Sequence, residues 1–237
     1  MTHQPHRLRR LILFAVAALV LAVIAAHHGD DSPSPPPPAG AAAALRQLDG
    51  LPVVHARPHR PGYQRGCGSG QACSFGPAWT DNTTAPGGNN GCDTRNDILR
   101  AQLADVTYRP GSRCVVTAGV LRDPYTGRTI RFAKHHAATV QIDHIVPLAL
   151  AWDLGANIWP PAQRTAFAND ERLVLLAVSG AANDAKGDSG PGEWMPPNRA
   201  YRASYAERFI AVLAHYRLTV TAADKTALTS ALQGDRS

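Results

Sequence analysis

Asp143 and His144 stand side by side where an apolar run meets Pro147. A carboxylate binds a hard divalent cation through oxygen, and an imidazole takes a proton from water near neutral pH. Further along come Asn169-Asp170, an apolar stretch over 173–178, and Asn183 with Lys186. If the stretch after Asp170 returns as a strand, the ends of the unit bring Asp143 and Asn183 to one cation, with His144 beside them. The chemistry of such a set is metal-assisted hydrolysis of a phosphodiester, the cation polarising the phosphoryl group while His144 deprotonates water. One carboxylate and one amide oxygen leave the cation free to keep waters and accept phosphate, as magnesium does.

Each residue also has a plainer use. Asn169 can end a helix, Asn183 and Asp188 can shape a turn, and Lys186 can be a solvated charge. His135-His136 has the look of a metal pair, but neighbours on a strand face opposite ways, so the two read as loop residues. No HExxH motif occurs, which removes the usual zinc peptidase.

The elements around these residues follow from punctuation and period. Pro147 cannot continue a sheet, so a strand over 138–142 delivers the Asp-His pair at its end. Upstream, Asp93 or Thr94 caps a helix to about residue 104. A Val-rich strand over 114–121, a turn at Asp123-Pro124-Tyr125-Thr126-Gly127 and a return over 128–132 form a hairpin. After Pro147 the pattern predicts a short helix over 148–155 closed by glycine, a second from Pro160-Pro161 to Asn169, and a strand over 173–178. Residues 183–188 read as one helical turn or a polar loop. A long helix over 198–216 carries Tyr201, Tyr205, Phe209, Val212 and Tyr216 at helical spacing, and a last one over 221–232 is capped by Thr221. Phe75 and Trp79 are candidate core anchors of the Gly-rich stretch after Tyr63.

The first residues read as a targeting segment. A basic cluster, His6 to Arg10, precedes an uninterrupted apolar run from Leu11 to Ala26. Residues 1–28 are therefore a signal peptide or an N-terminal membrane anchor, and both place the remainder outside the cytoplasm. Residues 29–62 read as a Pro/Ala-rich linker, largely disordered, in which Val53 and Val54 could form a short strand or docking segment. The folded domain is then 63–237. Cys67, Cys73, Cys92 and Cys114 are even in number and all lie beyond the leader, which suggests two disulfides. Of three pairings, Cys67–Cys73 and Cys92–Cys114 are favoured: the first closes a Gly-rich loop, the second ties a helix to a strand. The formal net charge of +6 favours polyanionic partners. Arg95, Arg100, Arg128, Arg131, Lys134 and Lys186 are available to phosphates, and no element has the look of a major-groove reader.

Several ordered motifs resemble a known family: DHIVPLALAWDLGA (143–156), FANDERLVLLAV (167–178), NDAKGD (183–188) and EWMPP (193–197), with FGPAW (75–79), GCDTRNDIL (91–99) and DPYTGRTI (123–130) upstream. They are similar to the HNH, or ββα-metal, nucleases, and more narrowly to exported HNH endonucleases of actinobacterial type that share a domain with the C-terminal part of GmrSD restriction enzymes. The resemblance implies an α+β fold with a ββα-metal (HNH/His-Me finger) core, a small antiparallel sheet and flanking helices. It implies His144 as general base, Asp143 and Asn183 as metal ligands, Asn169 as the middle letter and Lys186 as a phosphate-contacting or site-ordering residue. Leu173 stands where some members carry an Asn-Leu pair. The implied cofactor is a divalent cation, magnesium or alternatively manganese. The implied partner is nucleic acid, DNA ahead of RNA, with membrane contact through the N-terminal segment if it is retained. The rival expectation is an inactive, envelope-associated polyanion-binding protein of the same fold.

Overall fold

The computed structural model describes residues 40–234; the expected leader and residues 29–39 lie outside them. The fold is α+β, with three small sheets and helices around one apolar core.

The sheet nearest the Asp-His pair joins β5 (Val140–His144) to β6 (Leu175–Ser179) as an antiparallel pair, with Asp143 opposite Leu176 and His144 opposite Leu175. Leu175 to Val178 are all buried, as befits a strand covered on both faces. Gln102 covers its other edge: its amide oxygen accepts from Ala177 N (2.8 Å) and its Nε2 donates to Leu175 O (3.4 Å). Gln102 ends α2 (Thr94–Gln102), which Asp93 caps by accepting from Asn96 N. A second sheet has the order β2 (Ala104–Tyr108), β3 (Val116–Arg122), β4 (Thr129–Ala133), all antiparallel. The hairpin matches expectation. Strand β2 does not: the expected helix stops two residues early because Leu103 turns extended, and Asp105 at φ 51° interrupts the register with a bulge that hides the strand's alternation.

Between the strands of the site lie α3 (Leu148–Asp153) and α4 (Pro161–Ala168), the latter opened by proline as expected. The segment after β6 is neither a single turn nor a loop. It is α5 (Gly180–Lys186), capped by Ser179. The long helix α6 (Arg202–Tyr216) buries Tyr205, Phe209, Val212 and Leu213; its first expected turn is instead a 3-10 turn at Arg199–Tyr201, after two prolines. The final helix α7 (Ala222–Gln233) is capped by Thr221.

Residues 41–62, expected within a disordered linker, are packed instead. Helix α1 (Ala41–Asp49) buries Ala44 and Leu48, and β1 (Val53–Val54) pairs in parallel with β7 (Val220–Thr221). The prolines there shape irregular backbone that still carries core residues. Arg57 Nε meets Asp153 at 2.7 Å and Arg57 Nη2 meets Asp188 at 2.9 Å. Both disulfides have the favoured pairing, Cys67–Cys73 and Cys92–Cys114.

Candidate functional site

Strand β5 presents Gln141 and Asp143 on one face, and α5 lays Asn183 and Lys186, three positions apart, against them. Two rungs result. Asn183 Nδ2 donates to Gln141 Oε1 at 2.7 Å, and Lys186 Nζ donates to Asp143 Oδ2 at 2.6 Å. Lys186 also donates to the His144 carbonyl at 2.8 Å. Its side chain is fully buried, which lowers its pKa against the opposing pull of Asp143. Lys186 thus orders the site; as placed, it presents no surface to a phosphate.

Asp143 is 5% exposed, and the same Oδ2 accepts from the Tyr125 hydroxyl. Tyr125 comes from the β3–β4 turn. Asp123 shapes that turn by accepting from Tyr125 N and Thr126 N, and accepts from Ser179 N at the start of α5 (2.9 Å). Burial and the Asp143 charge hold the phenol well above its ordinary pKa, so it remains a donor.

His144 ends β5. Its Nε2 lies 2.9 Å from the carbonyl of Ala168. A carbonyl only accepts, so Nε2 carries the proton and Nδ1 keeps a lone pair. Trp79 stacks on the ring, centroids 5.7 Å apart and planes 15° apart. Burial pushes the His144 pKa down to about 3; the Ala168 hydrogen bond opposes this, while Arg65 and Lys186 add to it. The imidazole is therefore a neutral base. Trp79 sits at φ 57°, a costly conformation for a bulky residue, of a kind that clusters at functional sites.

Asn169 ends α4. Its Nδ2 donates to Thr165 O at 2.9 Å, and its buried Oδ1 has no partner. It touches the site through its neighbour: Ala168, immediately before it, holds His144. The loop back to β6 is fixed by Asp170, which accepts from Arg172 N and Leu173 N (both 3.0 Å) and from the Tyr216 hydroxyl (2.7 Å).

Tyr63, Arg65, Trp79, Asp143, His144, Asn183, Asp184 and Asp188 are among the residues lining one cavity of about 480 Å³. It thus brings together the expected Asp143, His144 and Asn183; Asn169 and Lys186 stand behind it. Sequence reading missed Tyr125, Trp79 as a ring partner and Arg65, and named Asp170 without giving it a role. Tyr125 and Trp79 lie in motifs already marked by resemblance, DPYTGRTI and FGPAW, and Asp170 in FANDERLVLLAV.

Among the described residues no group of three His, Cys, Asp or Glu side chains is arranged to hold a metal ion. The donors that line the cavity are of a different kind. Asn183 has committed its amide nitrogen to Gln141, which leaves its oxygen as the available donor, and Asp143 has engaged one carboxylate oxygen only. One carboxylate and one amide oxygen fit a hard cation that keeps most of its waters. Of the six expected phosphate-binding cations, three are paired: Arg95 on the carbonyls of Ala137 and Val140, Lys186 on Asp143, both within the fold, and the exposed Arg100 on Asp97. Arg128, Arg131 and Lys134 are exposed along β4 and its ends.

The family described as GmrSD restriction endonucleases, C-terminal domain, matches residues 93–231, from the cap of α2 into α7. An "Uncharacterized secreted protein" of the fungus Arthroderma benhamiae is 44% identical over 142 residues, covering 60% of this chain and 67% of the relative. No solved structure matches.

Proposed function

This chain belongs to the GmrSD restriction endonuclease C-terminal domain family, and on that premise we propose that it is a metal-dependent endonuclease with β5, β6 and α5 as its ββα-metal core. The observation that carries the reading is His144: neutral, with its proton committed to Ala168 O and its other nitrogen free, beside Asp143 and Asn183 in one cavity.

In this reading Asp143 and Asn183 hold a divalent cation, magnesium or manganese. The bound cation supplies Lewis-acid stabilisation of the charge that builds on the phosphoryl group and leaving oxygen. His144 Nδ1 takes the proton of the attacking water. Ala168 and Trp79 keep the ring from turning, so the base is aimed before substrate arrives. Lys186 and Tyr125 fix the Asp143 carboxylate, and Gln141 orients the Asn183 amide. DNA is the substrate we favour over RNA on the restriction-endonuclease family, and we expect little sequence preference, because exposed Arg128, Arg131 and Lys134 would meet backbone phosphates without reading bases. Secretion is supported by the two disulfides and by the likeness to a secreted protein of Arthroderma benhamiae. No helix among the described residues is long and apolar enough to cross a membrane; the apolar run 11–26, signal or anchor, lies outside them.

The test is plasmid cleavage. The protein should nick and linearise DNA with magnesium and fail with excess chelator. His144→Ala should lose about 10²–10⁴-fold in rate, the scale of a general base. Equal cleavage by both proteins removes His144 from the reaction. Salt-sensitive DNA binding without cleavage by either would favour the non-catalytic polyanion binder.

A further inference from the structure

The cavity is completed by residues outside the family-matched span. Arg65 lines it and is near enough to His144 to act on its charge. It has no carboxylate partner among the described residues. Among the described residues its guanidinium makes one hydrogen bond, from Nη1 to the Gly76 carbonyl at 3.2 Å, and Nε and Nη2 make none. Of the cations expected to meet phosphate, Arg95, Arg100 and Lys186 are paired and Arg128, Arg131 and Lys134 are exposed along β4 and its ends; none of them lines the cavity, whereas Arg65 lines it together with His144.

Its position is built. Gln64 and Gly66 flank it and form a short ladder with the returning chain: Ser74 N donates to Gln64 O (2.9 Å) and Cys73 N to Gly66 O (3.0 Å). Cys67–Cys73 closes that hairpin covalently. Arg164 ties it to α4 by donating to Ser74 O at 2.5 Å, and buried Phe75 anchors it between Tyr63 and Phe167. The acidic groups lining the cavity beyond the Asp143 rung are already engaged: Asp188 pairs with Arg57, and Asp184 accepts from Gln141 Nε2. A solvated arginine needs no such frame.

We propose that Arg65 is a substrate-binding residue that grips a backbone phosphate of the polynucleotide beside His144, and that the Cys67–Cys73 hairpin serves to hold it there. This rests on the endonuclease reading above. A guanidinium whose Nε and Nη2 are unengaged suits a phosphate diester, which offers two non-bridging oxygens.

The experiment compares the full chain with Arg65→Ala, Arg65→Lys and the Cys67→Ser/Cys73→Ser double variant. DNA cleavage with magnesium is followed at several salt concentrations, and duplex binding is measured in a His144→Ala background. Thermal melts establish that each variant is folded. Arg65→Ala should raise KM about tenfold and lower the salt slope of binding by about one. Arg65→Lys should restore the slope and part of KM. The double serine variant should raise KM in the same direction and add little on top of Arg65→Ala. An unchanged KM and salt slope in Arg65→Ala, with wild type active, overturns the clamp and leaves the endonuclease reading standing. Fully additive effects overturn the role of the bridge. Wild type that neither binds nor cleaves polynucleotide sinks both readings.

Discussion

At the scale of single residues, the site depends on a buried ion pair, and a carboxyl outside the cavity lining gives the fold a pH signature. Among the described residues Lys186 is the only counter-charge in contact with Asp143; its ammonium is fully buried, and the carboxylate nearly so at the cavity wall. Removing the ammonium strands a carboxylate with a phenol for company. Lys186→Met should therefore cost about 3–5 kcal/mol in chemical denaturation, whereas Lys186→Met with Asp143→Asn should regain part of the loss. A loss below ~1 kcal/mol would mean the pair is wet. Glu171 gives a pH signature. Burial, the Asp97 charge and a hydrogen bond to Asp97 push its pKa up to about 7. The folded state therefore holds a proton that the unfolded chain has released. Stability should fall as pH rises from about 4.5 through 7 and then level off. Screening of a half-exposed group keeps that fall to about 1–2 kcal/mol. Glu171→Gln should remove the descent and be the more stable protein at pH 8. Parallel stability curves for the two would deny the shared proton. Asp143 and His144 were legible as candidates from type and adjacency, and Asn183 only from an expected return strand and the family resemblance. Tyr125, Trp79 and Arg65 were not, because a tyrosine in a turn or an arginine among glycines gives no local sign that distant chain will bury it against a carboxylate or a base.

At the scale of elements, what matters is how tightly α5 is seated on β5. The Asn183 and Lys186 rungs form only if the start of the helix lies close to the chain entering the strand. Gly180 permits this: a Cβ there would stand 1.9 Å from the Ala138 carbonyl oxygen, which is backbone and has nowhere to go. Gly180→Ala should destabilise the protein by about 2–3 kcal/mol through overpacking. It should also weaken magnesium-dependent cleavage beyond what the stability loss explains, because both rungs shift with the helix. A variant as stable and as active as wild type would mean that the junction is soft. The sequence anticipated both strands, each starting two residues early, and Gly180 as the break after the second, yet left 183–188 open between one helical turn and a polar loop. Seven residues ending in Lys-Gly carry too little periodicity to announce a helix; its cap Ser179 and the two rungs to β5 decide it.

At the scale of the whole molecule, the folded unit begins earlier than its composition suggests. Prolines and alanines dominate residues 33–62, and composition of that kind ordinarily means a linker. Yet Leu48 is fully buried, Ala44 and Leu51 join the same core, and Val53–Val54 pairs with Val220–Thr221. Arg57 Nε and Arg60 N both donate to the carboxylate of Asp153, which is buried at the end of α3. A chain cut to begin at Tyr63 would lose two leucines from the core, a strand partner and the counter-charge of Asp153. Each leucine is worth about 2–5 kcal/mol, and a buried carboxylate left unpaired costs a similar amount. Since whole domains are stable by only about 5–15 kcal/mol, that truncation should fail to fold cooperatively. A chain beginning at Gly40 should melt like the full chain and retain its cleavage activity. Comparable melts for the two truncations would return residues 40–62 to the linker. Loss of activity in the longer one, with its melt intact, would move a functional contribution into residues 1–39.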